Sequence, residues 1–318
     1  MDIAVIGSNM VDLITYIDRM PKLGETIEAP SFKIGCGGKG ANQAVAAAKL
    51  GSDVMMLTKV GDDLFAENTL KNFHLNAINT DYVTVAKGVS SGVAPIFVDK
   101  SSQNSILIIK GANSHLSTKD IDDAENELKK CKLIILQLEV PLSVVYYSID
   151  FAVKNNIPVI LNPAPADPNL DINYVCKCDF FMPNETELEI LTGLPVSNID
   201  EILIAANSLI SKGLKNLVVT LGEKGAIWLD GNVIHHIAPH KVNAIDTSGA
   251  GDAFIGCFAH YLVKTHDILA SLNMASAFSA YSVTGQGTQI SYPDKKEFEC
   301  FLGKLCIVCF RTSCAECD

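Results

Sequence analysis

The run Leu133-Ile134-Ile135-Leu136-Gln137-Leu138 constrains the fold more than any other stretch of this chain. A strand with one wet face alternates apolar and polar residues. A strand covered on both faces reads as a near-continuous apolar run, and that kind of burial comes with parallel sheets sandwiched between helices. The rest of the chain has the rhythm such a sheet needs. Ile3–Gly7, Val54–Val60, Ile157–Leu161, Phe180–Met182 and Leu217–Thr220 read as further strands. Helices are predicted over Ala41–Leu50, stopped by Gly51, and over Ser143–Asn155. They are also predicted over Glu185–Leu191 ending at Gly193, Ile199–Lys212 ending at Gly213, and Ala253–Val263 with Phe254, Cys257, Phe258, Tyr261 and Leu262 on one face. This alternation predicts an α/β fold: a doubly wound, mostly parallel sheet flanked by helices.

Two stretches break the rhythm. Asp12–Lys33 and Ser91–Ile109 alternate apolar and polar residues with turn residues between, which reads as antiparallel ribbon. They predict a small β-sheet lid, from about 12–35 and 90–110, standing off a main domain of residues 1–300. An apolar sheet face needs a partner, either a bound ligand or a second copy of the chain. With 48% apolar and 19% charged residues, the 318-residue chain has ample core and is not disordered overall. Its net charge of -11 repels a phosphate polymer, which argues against nucleic-acid binding. No apolar run reaches the ~18–20 residues of a membrane helix. The start, Met1–Gly7, lacks the features of a signal peptide, so the chain is expected to stay in the cytoplasm. Of ten cysteines, Cys36, Cys131, Cys176, Cys178 and Cys257 read as reduced thiols in apolar or loop settings. Cys300, Cys306, Cys309, Cys314 and Cys317 crowd the C-terminal end. The two C-x2-C pairs there lie too close together for an ordinary zinc ribbon or finger. Residues 301–318 are therefore expected to be a poorly ordered tail.

The sharpest chemical signal is Asp246-Thr247-Ser248-Gly249-Ala250-Gly251-Asp252. Small residues with available N–H groups lie just before an apolar-periodic helix, where amides and the positive helix end can receive an anion. Asp252 at that mouth is either an N-cap or a general base beside a bound phosphate. A second glycine-rich turn, Gly35-Cys36-Gly37-Gly38-Lys39-Gly40-Ala41-Asn42, lacks the spacing of a Walker loop or of a dinucleotide fingerprint. It offers close backbone approach together with the side chains of Lys39 and Asn42, or it is simply a tight turn into a helix. Asp12, Glu139, Asn184 and Gly222 each follow a strand, and ligands of doubly wound sheets bind at the strands' carboxyl ends. Each could instead be a turn or cap residue, Asn184 above all.

Three motifs, Gly37–Asn42, Asn184-Glu185-Thr186-Glu187 and Asp246–Asp252, occur in order and resemble the ribokinase branch of the PfkB-type carbohydrate kinases over roughly residues 1–298. The resemblance implies a ribokinase-like fold whose lid often doubles as a homodimer interface. It implies Asp252 as the base toward a sugar hydroxyl, with Gly249, Ala250 and Gly251 as the anion hole. Asp12, Gly38, Lys39, Asn42 and Glu139 match sugar-contact positions. Thr220, Gly222, Glu223 and Gly225, with Gly251, match nucleotide-contact positions. Asn184 and Glu187 match the motif that organises Mg²⁺ and phosphate. The resemblance further implies ATP and a monovalent cation, K⁺, at Asp246, Ser248, Ser282, Gly285, Gly287 and Ser291, several of them through backbone carbonyls.

One departure bears on the substrate. Ribokinases read Gly-Ser-Ile-Asn-x-Asp at the end of the first strand, whereas this chain has Gly7-Ser8-Asn9-Met10-Val11-Asp12. Met10 cannot hydrogen-bond a hydroxyl but fills apolar space. Met at this position is the pattern of the bacterial 2-deoxyribose kinases, which the chain as a whole resembles. The expectation is therefore a kinase for the 5-hydroxyl of 2-deoxyribose with residual ribose activity. The alternative is that Met10 merely packs under the lid and ribose is the main substrate. A non-catalytic sugar or nucleotide sensor would be expected to lack Asp252. A nicotinamide-dependent dehydrogenase would need Gly-x-Gly-x-x-Gly after the first strand.

Overall fold

The computed structural model describes residues 1–100, 104–231 and 233–313. Its first half contains β1 (Ile3–Ile6), β2 (Met10–Tyr16), β3 (Ser31–Gly37), α1 (Lys39–Lys49), β4 (Val54–Gly61), α2 (Leu64–Leu75), β5 (Val83–Ala86), β6 (Val93–Val98) and β7 (Asn104–Ile106). There follow α3 (Thr118–Asp123), α4 (Glu125–Leu128), β8 (Leu133–Leu136), α5 (Leu142–Asn155), β9 (Val159–Leu161), α6 (Ile172–Val175), β10 (Phe180–Phe181) and α7 (Glu185–Thr192). The chain continues through α8 (Ile199–Ile210), β11 (Leu217–Thr220), β12 (Ala226–Leu229), β13 (Ile234–Ile237), α9 (Ala250–Thr265), α10 (Ile268–Ser282) and α11 (Lys295–Ser313).

Nine strands form one sheet in the order β13-β12-β11-β10-β9-β8-β1-β4-β5. β11 through β5 are joined in parallel, and only the β11–β12 and β12–β13 pairs are antiparallel. The reason is visible residue by residue in β1. Ile3 and Val5 enter a core shared with α1, α9 and α10, while Ala4 and Ile6 enter a second core shared with α5 and α8. A period of two with both faces apolar requires a layer on each side, and the helices supply it. The strand predicted over Ile157–Leu161 starts later, at Val159, because Pro158 has no N–H to give the ladder. Among the described residues, no helix is long and apolar enough to cross a membrane.

The lid is a separate four-stranded sheet, β3-β2-β6-β7. Its two hairpin-like pairs, β2–β3 and β6–β7, are antiparallel as expected, but they are joined through a parallel β2–β6 pair, Val11 opposite Val93 to Tyr16 opposite Val98. Alternating residues fix which face is apolar and leave the direction of the neighbouring strand open. β2 is buried at its root, Met10 to Asp12, and becomes half-buried toward Tyr16, so the lid is anchored where the main sheet ends.

Cys131, Cys178 and Cys257 are buried free thiols, Cys36 and Cys176 are half-buried, and Cys300 is exposed. α11 carries the helical backbone past residue 300 to Ser313. The side chains of Cys306 and Cys309, and Cys314 and Cys317 entirely, lie outside the described residues.

Candidate active site

β1 is where the strand order turns around: the chain moves outward to β4 on one side and to β8 on the other. Such a reversal opens a crevice at the carboxyl ends of the strands. Around it lie Lys39, Asn162, Met182, Asn184, Glu187, Thr220, Thr247 and the turn Gly249–Asp252, which together line one open cleft.

Asp252 is not the N-cap that its position suggested. α9 begins at Ala250, three residues before the predicted start, and its cap is Gly249 in the left-handed region at φ 72°. The Tyr292 hydroxyl donates to the Gly249 carbonyl at 2.8 Å and holds that turn. Asp252 therefore sits inside the first helical turn and faces α1. Its carboxylate accepts from Asn42 Nδ2 on Oδ2 and from Gln43 Nε2 on Oδ1, both at 2.9 Å. Gly256, one turn further along α9, makes this contact possible: a Cβ there would stand 2.5 Å from both Ala46 Cβ and the Gln43 carbonyl oxygen. Burial pushes the Asp252 carboxyl above its ordinary value; Lys39 and the two amides oppose that shift and Glu139 adds to it.

A pair of carboxylates, Asp12 and Glu139, stands at the root of the lid. Glu139 Oε2 accepts from the Ser8 hydroxyl and, at 3.0 Å, from the Lys39 backbone N–H. Asp12 is 8% exposed, lying against Gly37, where a Cβ would come within 2.4 Å of its oxygen. Burial first, and the charge of Glu139 second, push Asp12 up to about 6. For the Lys39 ammonium, burial is the largest influence and works downward, yet Asp252, Glu139 and Glu187 together leave it raised. Lys39 thus answers to three carboxylates at once. Met10 is 2% exposed, and its backbone nitrogen lies where a Cβ on Gly38 would be 2.7 Å away. It adjoins the glycine turn beneath the lid and is not on the open cleft wall.

Asn184 is the N-cap of α7. Its Oδ1 accepts from Glu187 N at 2.8 Å and its own N–H donates to Glu187 Oε2 at 2.9 Å, closing a capping box. Cap and cleft wall are the same residues here. Thr220 N–H donates to the Pro183 carbonyl at 3.1 Å, which ties the end of β11 to that cap. Gly222, Glu223 and Gly225 form the turn directly after Thr220, beside the cleft wall. Gly222 and Gly225 have φ of 56° and 90°, and a Cβ on Gly225 would meet the Ile237 carbonyl at 2.1 Å.

The remaining predicted residues cluster in two adjoining loops. Ile245 and Asp246 N–H groups reach the Val283 carbonyl, and Asp246 accepts from Ser248 N and Gly287 N, both at 2.9 Å. Burial pushes the Asp246 carboxyl up, but these donors outweigh it and hold it below its usual range. Ser282 and Ser291 donate their hydroxyls to the Ser279 and Thr288 carbonyls, and Gly285 packs against Ser291. Sequence reasoning passed over Gln43, Gln137, Asn162, Gln289 and Tyr292. Asn162 carried a usable signal, because it directly follows β9 at the same strand edge as the others.

The Asp12 environment makes a prediction about stability. Its folded-state value, about 6, lies above the ordinary value of 3.8. A raised carboxyl favours folding below its unfolded value and loses that contribution as pH rises through the folded one. At pH 8 the buried charge therefore costs on the order of 2–3 kcal/mol, and near pH 4 very little. Asp12→Asn is expected to raise the thermal midpoint of the ligand-free protein at pH 8 by several degrees, with the gain shrinking toward pH 5. An equal shift at both pH values would show that the Asp12 charge is not the cause.

A doubly wound sheet with a β lid, a buried carboxylate inside a helix mouth and a polar cleft beside it make up one site at the strands' carboxyl ends. The chain belongs to the pfkB family of carbohydrate kinases, whose family model matches residues 1–295. A deoxyribokinase of Salmonella typhi is 64% identical over 302 residues, covering 95% of this chain and 99% of the relative. A ribokinase of Mus musculus is 38% identical over 299 residues, covering 93% of each chain. The structure of Arabidopsis thaliana ribokinase complexed with ribose and ATP matches with a TM-score of 0.89 at 30% identity, covering 95% of this chain and 98% of that one. Ribokinase from Thermotoga maritima matches with a TM-score of 0.86 at 35% identity, covering 95% and 99%. The fold is ribokinase-like and the protein is a sugar kinase, a phosphotransferase with an alcohol acceptor.

Proposed function

We propose that this kinase transfers the γ-phosphoryl group of ATP to the 5-hydroxyl of 2-deoxy-D-ribose, with residual activity on D-ribose. One observation carries the reading. Asp252 feels Glu139, which stands with Asp12 at the lid root, and lines one cleft with the Asn184–Glu187–Thr220 wall, while Lys39 answers to Glu139 and to Glu187 alike. The sugar belongs at the lid root, against Asp12, Gly38, Lys39, Asn42 and Glu139. The nucleotide belongs at the cleft wall, along Thr220, Gly222, Glu223, Gly225 and Gly251. Asp252 takes the proton of the attacking hydroxyl, a role worth ~10²–10⁴-fold. The amides of Gly249, Ala250 and Gly251 meet charge on the phosphoryl oxygens, and a preorganised donor of this kind is worth ~3–4 kcal/mol. The Ala250 N–H reaches the Thr247 carbonyl at 3.3 Å, long enough to give way to an anion.

The donor sets fit two cations. Burial holds the Glu187 carboxyl up despite its bond to Asn184 N–H, so it gains from nearby positive charge. Asn184 and Glu187 would hold Mg²⁺ together with phosphate, and the ion would neutralise the phosphate oxygens. The loops with Asp246, Ser248, Ser282, Gly285, Gly287 and Ser291 offer oxygen donors alone, which suits a hard monovalent cation such as K⁺. On the lid, Phe32 and Ile34 are about half exposed on one face of β3, the apolar surface a second copy would cover in a homodimer.

An ADP-release assay over 2-deoxyribose, ribose, fructose and no sugar tests the reading. Deoxyribose is expected to give the highest kcat/KM, with ribose lower by ~10²-fold, about the limit for an apolar site rejecting one hydroxyl. ADP release that ignores the sugar, or a preference for fructose, overturns it. Met10→Asn is expected to move the deoxyribose-to-ribose ratio toward ribose by at least roughly tenfold. An unchanged ratio removes Met10 as the selector.

A further inference from the structure

Two amides of α1 hold Asp252, and each is held from behind. Gln43 Nε2 donates to Asp252 Oδ1 at 2.9 Å and to Asn162 Oδ1 at 3.2 Å. Gln43 Oε1 accepts from Gln137 Nε2 at 2.7 Å. On the other side, Asn42 Oδ1 accepts from Gln289 Nε2 at 2.8 Å, and Gln289 Oε1 accepts from Asn72 Nδ2 at 2.7 Å. The polarity of the first chain is fixed by the backbone. Asn162 Nδ2 donates to the Met182 carbonyl at 2.9 Å, and a carbonyl can only accept. Asn162 must then turn its oxygen to Gln43, and Gln43 must turn its N–H groups to Asn162 and Asp252. A carboxylate accepts such donors on both oxygens. Both N–H groups of Gln43 are used inside the protein, so neither remains to bind a ligand.

We infer that Gln43 is a positioning residue for phosphoryl transfer: it fixes the orientation of the Asp252 carboxylate and favours its proton-free form, with Asn162 and Gln137 fixing Gln43 in turn. The inference rests on the reading of Asp252 as the base. The charged and titratable groups facing Asp252 are Lys39 at the start of α1, Glu139 after β8, Glu187 on α7, and the Tyr292 phenol, which burial keeps neutral. Lys39 favours the ionised carboxylate, and Glu139 and Glu187 disfavour it. Without Gln43, burial and those two carboxylates are opposed only by Lys39 and Asn42.

The test is the pH profile of kcat, with KM for both substrates, in Gln43→Met, Gln43→Glu and Asp252→Asn. Gln43→Met is expected to lose roughly 10–10²-fold in kcat at pH 7 while each KM stays within about threefold. Its acid limb should move up by about one pH unit, so part of the loss is recovered at high pH. Gln43→Glu keeps the acceptor for Gln137 and sets a second carboxylate beside Asp252. Its limb should move further, and it carries the test alone if Gln43→Met does not fold. Gln43 variants with the parent limb and kcat, beside an inactive Asp252→Asn, overturn the inference and leave the base assignment standing. A KM that rises with an unmoved limb shows mere packing of α1 and also overturns it. An active Asp252→Asn removes both.

Discussion

Asp252→Asn is expected to lower kcat by about 10²–10⁴-fold while sugar and nucleotide affinities each change less than about threefold. Asn is isosteric with Asp, so the helix mouth keeps its shape. It no longer accepts a proton, so the attacking hydroxyl must lose its proton without help. Two local effects oppose each other. Removing the buried charge relieves the desolvation that raises the Asp252 carboxyl. The new amide, however, must turn an N–H toward either Asn42 or Gln43, whose own N–H groups already point at it. Neither neighbour can rotate freely, because Gln289 donates to the Asn42 oxygen and Gln137 to the Gln43 oxygen. We therefore expect a small net change in melting temperature beside a large loss of turnover. Calorimetric titration of sugar, with kcat measured on the same preparation, separates the two. Turnover within tenfold of the parent would exclude Asp252 as the base.

Much of this was legible because burial writes itself into a strand. Leu133–Leu136 is buried at every position, and a continuous apolar run reports that directly. The glycine stop at Gly193 is likewise local: a left-handed residue at φ 67° is needed there, and glycine supplies it. What was hidden depends on partners far away in the chain. That Asp252 is a buried carboxylate gripped by α1, and not the helix cap, depends on residues some two hundred positions earlier and on the close approach at Gly256. Gln43 and Gln137 read in sequence as ordinary polar residues, one in a helix and one in an otherwise apolar run. Both are 0% exposed, and only the folded chain shows that each amide answers another. Asn184 shows the reverse case: its cap role was legible, and the cleft wall it also forms was visible only as a coincidence of strand ends.

Gly256→Ala is expected to cost both stability and turnover through one added methyl group. An isolated helix would gain ~0.8–1.0 kcal/mol from replacing glycine with alanine. Here the added carbon meets Ala46 Cβ and the Gln43 carbonyl oxygen, each at 2.5 Å, with Ala47 N at 3.1 Å. None of these is the loose end of a flexible side chain, so α1 and α9 must move apart. Overpacking typically costs ~1–3 kcal/mol, and a double contact of this kind lies at the upper end, leaving a net loss near 2 kcal/mol after the propensity gain. The same displacement pulls Asn42 and Gln43 away from Asp252, and a shift near 1 Å in a reacting group can cost ~10²-fold in rate. Gly303→Ala is the control: it too lies within a helix, α11, but nothing stands within 4 Å of its Cβ position, so it should stabilise slightly and leave kcat alone. Adding Ala46→Gly to Gly256→Ala removes the carbon–carbon clash and leaves the contact with the Gln43 carbonyl. Stability should then return further than kcat, because the surviving conflict is with the residue that grips the carboxylate. Recovery of both in step, or a Gly256→Ala enzyme with full turnover, would mean that the closeness of α1 and α9 matters for packing alone.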